Sequence, residues 1–312
     1  MDARTGSLGR NNAVAAAETL WLMGQPTLDD LLGFVREEVV DGADISRIDL
    51  AAQWRAGNDI YHELERDEAG EADKVRIRAL DRPGKARAAR LEADPRHRGA
   101  FDVVPTRVAM VELDRLIVSR TDIAADPLHA LPDDLFDFCL PLEPPRPVLR
   151  IVRVEDGRFL FACSGEELRA GDVALLDEAA AGHLPAMGAP AIGGVAVPVA
   201  LASPLMSAIH SDNRLVLTNG HKRALALRAA GIAFAPCLIH QVTRTDELAL
   251  VARDQVVERP EFYFRAKRPP LLRDFLDPRL VRRFAARPRE TIVEIELKVR
   301  SGPAIDCEGS LT

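Results

Sequence analysis

Five consecutive residues combine a turn-forming pair with one histidine and two cations: Asn219, Gly220, His221, Lys222 and Arg223. Lysine and arginine neutralise phosphate oxygens, and a turn that opens a helix points backbone N–H groups at an anion. A cation at a helix N-terminus opposes the helix dipole by roughly 0.3–1 kcal/mol, a cost that a bound anion offsets. The five residues therefore predict a phosphate-binding site. The alternative is an ordinary turn followed by a solvated basic face of a helix.

The flanking residues supply the elements that would position this site. Residues 214–218 form an apolar run that predicts a buried strand, and residues 221–230 predict a helix that Gly231 ends. Residues 234–242 predict a second strand. The segment therefore reads as a β-turn-α-β unit in which the turn lies at the end of a strand, where a ligand crevice can form.

This unit resembles the core motif of the ParB/sulfiredoxin-like superfamily (the ParB-like nuclease domain fold): a strand, the NGHKR turn, a helix ending in Gly231 and an apolar strand containing Pro236. The resemblance covers roughly residues 108–257, and its most specific part lies within 195–242. It implies an α+β fold, with a small mixed sheet and flanking helices. It also implies that Gly220, His221, Lys222 and Arg223 bind the phosphates of a nucleoside triphosphate, such as ATP or CTP, with magnesium.

Three departures from the family pattern limit what the resemblance implies. His221 stands where sulfiredoxins have their catalytic cysteine, so the nucleophile of that chemistry is missing. Arg253, Asp254 and Gln255 stand where ParB proteins have a Glu-Asn phosphate motif, which argues against CTP-specific switching. The loop Ser119 to Asp122 replaces the Gln-Pro-Arg-like loop of ParB and keeps one arginine.

Glu112 is the candidate catalytic acid. Glu112 and Asp114 are two residues apart and would share one face of a strand. Some kinases of the superfamily use an early acidic residue as a base towards a hydroxyl, and a pair of carboxylates can also hold magnesium. The alternative is a solvated strand face.

Histidine and cysteine spacing does not predict a metal site. His210, Asp212, His221 and His240 are close in sequence, but their spacing matches no known ligand pattern. The four cysteines form no CxxC pair, which is typical of a reducing cytoplasm. Cys237, in an apolar strand, is expected to be a small buried hydrophobe.

Composition narrows the class of protein. The 312 residues are 47% hydrophobic and 29% charged, with a formal net charge of -7, which is typical of a globular protein and unfavourable for general nucleic-acid coating. No signal peptide or membrane-spanning segment is predicted, so we expect a cytoplasmic protein.

The chain divides into three predicted regions. Residues 1–100 are expected to be all-helical, residues 101–258 to form the ParB/sulfiredoxin-like domain, and residues 259–312 to form a proline-rich extension ending in a strand. An insertion with a β-hairpin is predicted at about 135–193. Individual helices are expected at these positions: Asn12 to Met23, Thr27 to Val40, Ile48 to Arg66, Lys85 to Ala93, Ser203 to His210 and Thr245 to Val257.

Three functions remain open from the sequence. The first is nucleotide or phosphate binding, with phosphoryl transfer or nucleotide hydrolysis if the protein is an enzyme. The second is a non-catalytic adaptor that keeps the fold and binds a protein partner through its helical region and the insertion. The third is a DNA-associated ParB relative using the basic, aromatic run 259–289, which the acidic balance and the lack of a recognisable helix-turn-helix disfavour.

Overall fold

A computed structural model describes residues 16–298 except 26, 126–129, 131, 144–148, 156, 165–167, 172, 183–192, 202 and 253. The strands run as follows: β1 Ala17–Leu22, β2 Ile77–Arg78, β3 Thr106–Glu112, β4 Ile117–Val118, β5 Asp122–Ala124, β6 Leu149–Glu155, β7 Arg158–Ser164, β8 Leu168–Ala170, β9 Ala174–Leu176, β10 Gly194–Ala196, β11 Val199–Leu201, β12 Ser207–Ser211, β13 Arg214–Asn219, β14 Phe234–Gln241, β15 Val281–Ala286 and β16 Glu290–Glu296.

The α-helices run as follows: α1 Leu28–Glu37, α2 Arg47–Asp67, α3 Arg82–Ala93, α4 Leu135–Cys139, α5 Glu178–Ala181, α6 His221–Ala229, α7 Thr245–Val251, α8 Asp254–Glu258 and α9 Pro260–Phe264. Short 3-10 helices lie at Gly42–Asp44, Glu71–Lys74, Arg98–Ala100 and Leu272–Leu276. The protein is therefore of the α+β class, as expected. Among the described residues, no helix has the length and apolar character needed to cross a bilayer.

The described residues fall into two compact units, a larger one within residues 16–143 and 203–288 and a smaller one within residues 149–201 and 289–298. In the smaller unit β6, β7 and β16 form an antiparallel sheet with β7 in the centre. The predicted hairpin is thus confirmed as β6 and β7. The pairs β8 with β11 and β9 with β10 complete this unit together with α5.

The larger unit is built on a mixed six-stranded sheet in the order β2-β3-β14-β12-β13-β4. β4 runs parallel to β13 and β12 parallel to β14, while the other neighbours are antiparallel. Along β13, Leu215 and Leu217 belong to one buried cluster and Val216 to another, because successive side chains of a strand point to opposite faces. Both faces of the central sheet are therefore covered.

Helices supply the two covering layers of this sheet. Leu225 and Leu227 of α6 lie in the cluster with Leu215, while Leu248 of α7 and Val256 of α8 lie in the cluster with Val216. The predicted β-turn-α-β unit is confirmed as β13, α6 and β14. The helix predicted from Thr245 to Val257 is interrupted after Val251 and forms α7 and α8.

The prediction of a helix from Asn12 to Met23 was wrong within the described residues, since residues 17–22 form β1. β1 pairs with β15 on one side and β5 on the other. Leu20 and Leu22 enter the main core and Trp21 a second core, in which it stacks on Phe34 with ring centroids 4.5 Å apart. This burial on both faces overrides the helical propensity of the neighbouring alanines. The N-terminal region is accordingly mixed: β1 and β2 accompany α1, α2 and α3.

The helix predicted from Ser203 to His210 was also wrong, because residues 207–211 form β12. β12 and β13 make an antiparallel hairpin whose two turn residues, Asp212 and Asn213, have φ of 48° and 67°. Asp and Asn tolerate this left-handed conformation, which a two-residue hairpin turn of type I′ requires. The domain boundaries proposed from the sequence stay predictions.

Candidate functional site

The N-terminus of α6 lies where two parallel strands end. Leu217 of β13 pairs with Val118 of β4, so that Ser119 and Arg120 follow β4 at the sheet edge where Gly220 follows β13. Helix α6 has no side-chain cap at Gly220 and no acidic residue in its first turn. The first N–H groups of a helix have no acceptor within the helix, and the dipole makes this end positive. The positive N-terminal end of α6 thus lies beside the polar loop that follows β4.

Gly220 is required by two features of the turn. Its φ is +85°, which is strained for any residue with a side chain, and a Cβ atom built here would lie 2.7 Å from Cγ of Met206. The backbone therefore comes close to the buried start of the β12 segment. This close approach fixes the direction in which α6 leaves the sheet.

Asn219 holds the turn from the strand side. Its Nδ2 donates to the carbonyl oxygens of Ser203 at 2.5 Å and Leu205 at 2.8 Å, and its Oδ1 accepts from the Gly220 N–H at 2.9 Å. The side chain is thus occupied by backbone groups. In this arrangement Asn219 positions the turn.

His221 is buried, with 6% of its surface exposed. Its Nε2 lies 3.2 Å from Oγ of Ser119, whose hydroxyl donates to the carbonyl oxygen of Leu217 at 2.7 Å. Because the Ser119 hydroxyl donates its proton to Leu217, its Oγ can only accept a hydrogen bond from His221. The network therefore places a proton on His221 Nε2. His221 and Ser119 therefore join the ends of β4 and β13.

Arg223 makes its observed contacts with backbone carbonyl groups. Its Nη1 donates to the carbonyl oxygens of Phe138 at 3.1 Å and Cys139 at 3.2 Å, and its Nη2 donates to that of Pro204. The guanidinium thereby ties α4 and the segment before β12 to α6. Phosphate binding by Arg223 stays a prediction.

Lys222 is the exposed cation of the first turn of α6. Within the described ranges Lys222 makes no ion pair, whereas Arg120 at the end of β4 pairs with Asp122 at 3.2 Å. Of the five residues predicted as a phosphate site, Lys222 is the one whose side chain faces solvent. The five residues therefore lie together in the structure, but their side chains make different contacts.

Glu112 lies at the end of β3 and is 3% exposed. Its carboxylate accepts from Nη2 of Arg76 at 2.7 Å, from Nη1 of Arg115 at 2.6 Å and from the backbone N–H of Arg76 at 3.1 Å. Burial raises the pKa of Glu112, but these hydrogen bonds and charges outweigh it and bring the pKa below the ordinary glutamate value. A carboxylate held in this way is a weak base, and a catalytic role for Glu112 stays a prediction.

Asp114 does not share a strand face with Glu112, because β3 ends at Glu112. The Asp114 carboxylate pairs with Nε of Arg228 in the last turn of α6. Among the residues that the structure describes, no group of three or more His, Cys, Asp or Glu side chains is placed to hold a metal ion. His240, for example, lies 3.0 Å from the Thr106 hydroxyl through Nδ1, and burial lowers its pKa.

The aromatic residues of the basic run 259–289 are mostly core residues. Tyr263, Phe264 and Phe275 are buried, and Phe262 packs edge-on against Tyr263 with centroids 5.1 Å apart. These rings contribute apolar area to the core of the larger unit. They do not form an exposed stacking surface of the kind that single-stranded nucleic acids need.

Cys139 and Cys237 are fully buried. Burial raises the pKa of Cys139 to about 12, with a small opposing effect from the charge of Arg223, and burial also raises the pKa of Cys237 well above its ordinary value. Both thiols are therefore protonated near neutral pH. The expectation that Cys237 is a small buried hydrophobe is confirmed.

A cavity of about 460 Å³ lies at the other end of α6, and no sequence pattern predicts it. Four arginines and four carboxylates line it: Arg228, Arg268, Arg273, Arg279, Glu68, Asp114, Asp274 and Asp277. Glu68 directly follows α2 and lies 200 residues before Arg268, so no local spacing could have predicted their contact. The basic composition of residues 259–289 is the one available signal, and from sequence alone it suggests nucleic-acid binding.

The chain matches none of the protein-family models, and neither the curated proteins nor the solved structures give a significant match. The ParB/sulfiredoxin-like assignment therefore stays a hypothesis drawn from the motif.

Proposed function

We propose that the larger unit binds a phosphorylated ligand, in the first instance a nucleoside triphosphate with magnesium, at the N-terminus of α6. The observation that carries this proposal is an uncapped helix start with no acidic residue, whose exposed first-turn residue is Lys222. A cation at this end is unfavourable for the helix alone and favourable once an anion is bound. The ParB/sulfiredoxin-like motif supports the same location.

The residues divide into contacting and positioning groups under this proposal. Backbone N–H groups of the first turn and the Lys222 ammonium contact the phosphate oxygens. Asn219, Gly220, His221 and Arg223 hold the turn in shape. We propose binding as the function and assign no proton-transfer step to Glu112, because its carboxylate is engaged by two arginines.

Thermal unfolding with ATP, CTP, GTP and ADP in the presence of magnesium tests this proposal. A ligand at one hundred times its dissociation constant stabilises the native state by about 2.7 kcal/mol, which is visible as a higher midpoint. We expect Lys222→Gln to weaken binding about tenfold, as loss of one charge-assisted hydrogen bond does.

Lys85 provides a matched control for Lys222. Lys85 is also exposed near the start of a helix, α3, but that helix is capped by Asp81, which accepts from the Gly84 N–H at 2.8 Å. Lys85→Gln should leave every nucleotide-dependent shift unchanged. Absence of a shift with all four nucleotides, in protein that unfolds cooperatively, would reject the nucleotide proposal.

A second candidate is the adaptor, which one feature of the smaller unit favours. β6 is an edge strand of its sheet, and its Leu149 and Ile151 are 42% and 61% exposed. An edge strand with exposed apolar side chains can accept a strand from a partner protein. If no nucleotide binds, this candidate takes precedence, and Ile151→Lys should then abolish complex formation without altering the unfolding midpoint.

A further inference from the structure

The cavity at the C-terminal end of α6 has the size of a small-molecule site. Its volume of about 460 Å³ lies within the usual range of roughly 300–1,000 Å³. Its walls come from α2, the turn after β3, the last turn of α6 and residues 268–280. All of these belong to the larger unit.

Two of the cavity acids are neutralised by a neighbouring arginine. Asp274 accepts from Nη1 and Nη2 of Arg268 at 2.8 and 2.7 Å, and it also accepts from the Leu271 N–H at 2.8 Å. Asp277 accepts from Nε and Nη2 of Arg279 at 3.1 and 2.6 Å. These acids are part of the wall and have little capacity left for a cation.

Two arginines, in contrast, have guanidinium groups that are only partly used. Arg228 donates from Nε to Asp114, and Arg273 donates from Nη2 to Glu68 at 2.6 Å. Within the part of the chain that the structure describes, Nη1 and Nη2 of Arg228 and Nε and Nη1 of Arg273 have no hydrogen-bond partner. A guanidinium has five N–H donors, so both arginines keep donors that a ligand in the cavity can use.

The rest of the lining is apolar and comes from three leucines, Leu64, Leu276 and Leu280. Leu276 is 41% exposed. A ligand that complements this cavity has an oxyanion for the arginines and an apolar body for the leucines. The planar fork of arginine matches the two oxygens of a carboxylate particularly well.

We infer that this cavity binds a small organic acid, whose carboxylate is held by Arg228 and Arg273 and whose apolar body lies on Leu64 and Leu276. This site is separate from the proposed phosphate site. Arg228 is seven residues after His221 in α6, which places the two ends roughly 10 Å apart along the helix axis. The cavity and the proposed phosphate site are formed by different residues.

Calorimetric titration of the full chain with benzoate tests the inference, with benzamide as the uncharged probe of the same shape. Concentrations to about 10 mM detect dissociation constants near 1 mM. We expect one benzoate per chain and no binding of benzamide. Phenyl phosphate is titrated in parallel, and tighter binding of phenyl phosphate than of benzoate would overturn the assignment to a carboxylate.

Two variants separate this cavity from non-specific anion binding. Arg273→Gln removes a guanidinium donor, and Leu276→Glu places a negative charge at the cavity mouth. Each variant should weaken the binding of benzoate at least tenfold. The matched controls are Arg244→Gln, whose side chain is 70% exposed, and Leu250→Glu, at a leucine 64% exposed in α7. Both controls should bind benzoate as the wild type does.

Several outcomes would overturn the inference. These are no saturable heat with either acid, equal binding of benzamide, or benzoate binding that survives both cavity variants in folded protein. Binding that is lost in Lys222→Gln but kept in Arg273→Gln would move the acid to the α6 N-terminus and would also overturn it. The nucleotide experiment is independent, because Arg273 and Leu276 lie outside the proposed phosphate site.

Discussion

Arg268 and Asp274 form a bidentate ion pair in the interior of the larger unit, with side chains only 1% and 3% exposed. Burial lowers the pKa of Arg268, but the hydrogen bonds and charges of Asp274 and Glu68 outweigh burial and raise it. The Tyr61 hydroxyl in α2 donates to the same Asp274 carboxylate at 3.3 Å. The pair therefore connects the segment after α9 with α2, some 200 residues earlier.

Asp274→Ala should destabilise the protein by about 3–5 kcal/mol, because it removes the bidentate partner of the buried Arg268 and leaves the Glu68 carboxylate at Nε as its ion-pair partner. The control is Asp277→Ala, which removes an ion pair to an arginine that is 62% exposed and should cost less than about 1 kcal/mol. Urea unfolding followed by circular dichroism measures both values. Equal losses for the two variants would contradict a structural role for the buried pair.

Arg223→Lys should lower the free energy of unfolding by roughly 2–3 kcal/mol, because one ammonium cannot serve the carbonyl groups of Phe138, Cys139 and Pro204 together. Arg98→Lys, at an arginine whose side chain is 75% exposed, should change stability little. Urea unfolding again gives the values. If Arg223→Lys keeps full stability and loses nucleotide binding, Arg223 contacts the ligand directly and the positioning role is wrong.

Gly220→Ala should cost about 2–4 kcal/mol, since it adds the strain of a positive φ to a Cβ overlap with Met206. Gly231→Ala is the matched control, since Gly231 has φ of +88° and no atom within 4 Å of the added Cβ. The control should be destabilised only by the strain of the left-handed conformation, which costs about 1 kcal/mol. Similar thermal midpoints for the two variants would show that the contact with Met206 relaxes freely.

Glu112 should contribute to acid sensitivity. Its pKa in the folded protein is lower than in the unfolded chain, so the unfolded state binds more protons and stability falls as pH falls. The contribution is complete above the ordinary value of 4.5 and is lost as pH decreases from there through the lower folded value. Glu112→Gln should be less stable than the wild type at pH 7 and should lose less on acidification to pH ~3.

The exposed Glu92→Gln variant is the control for this pH series. Its unfolding free energy should follow the wild type at every pH. If the unfolding free energy of Glu112→Gln changes with pH in parallel with that of the wild type, the arginine contacts do not lower the pKa of Glu112.

Local patterns were sufficient to predict the centre of the larger unit. The apolar run of β13, the Asn219 and Gly220 turn, α6 and β14 follow from strand and helix signals within thirty residues. β12 was missed, because its short polar-apolar sequence becomes a strand only through the Asp212 and Asn213 turn and through pairing with β14. β1 was missed because its partners, β5 and β15, are about 100 and 260 residues away.

The position of the candidate site was predictable from the sequence. The contacts that each of its side chains makes were less predictable. Arg223 binds carbonyl groups, which every residue possesses, so no residue type in the sequence indicates the contact. The carboxylate of Glu112 is held by Arg76 and Arg115, and Arg76 becomes a neighbour only after β2 pairs with β3. Long-range pairing of this kind leaves no local periodicity to detect.

The most direct measurement for the proposed function is an amide ¹H–¹⁵N titration of the whole chain with ATP and magnesium. We predict saturable shifts of the amide signals from Gly220 to Arg223, with no comparable change at the capped start of α3 near Gly84. Lys222→Gln should require about tenfold more ATP for the same shifts. Unchanged amide signals from Gly220 to Arg223 at saturating ATP, or saturable shifts found only elsewhere in the chain, would contradict a phosphate site at the N-terminus of α6.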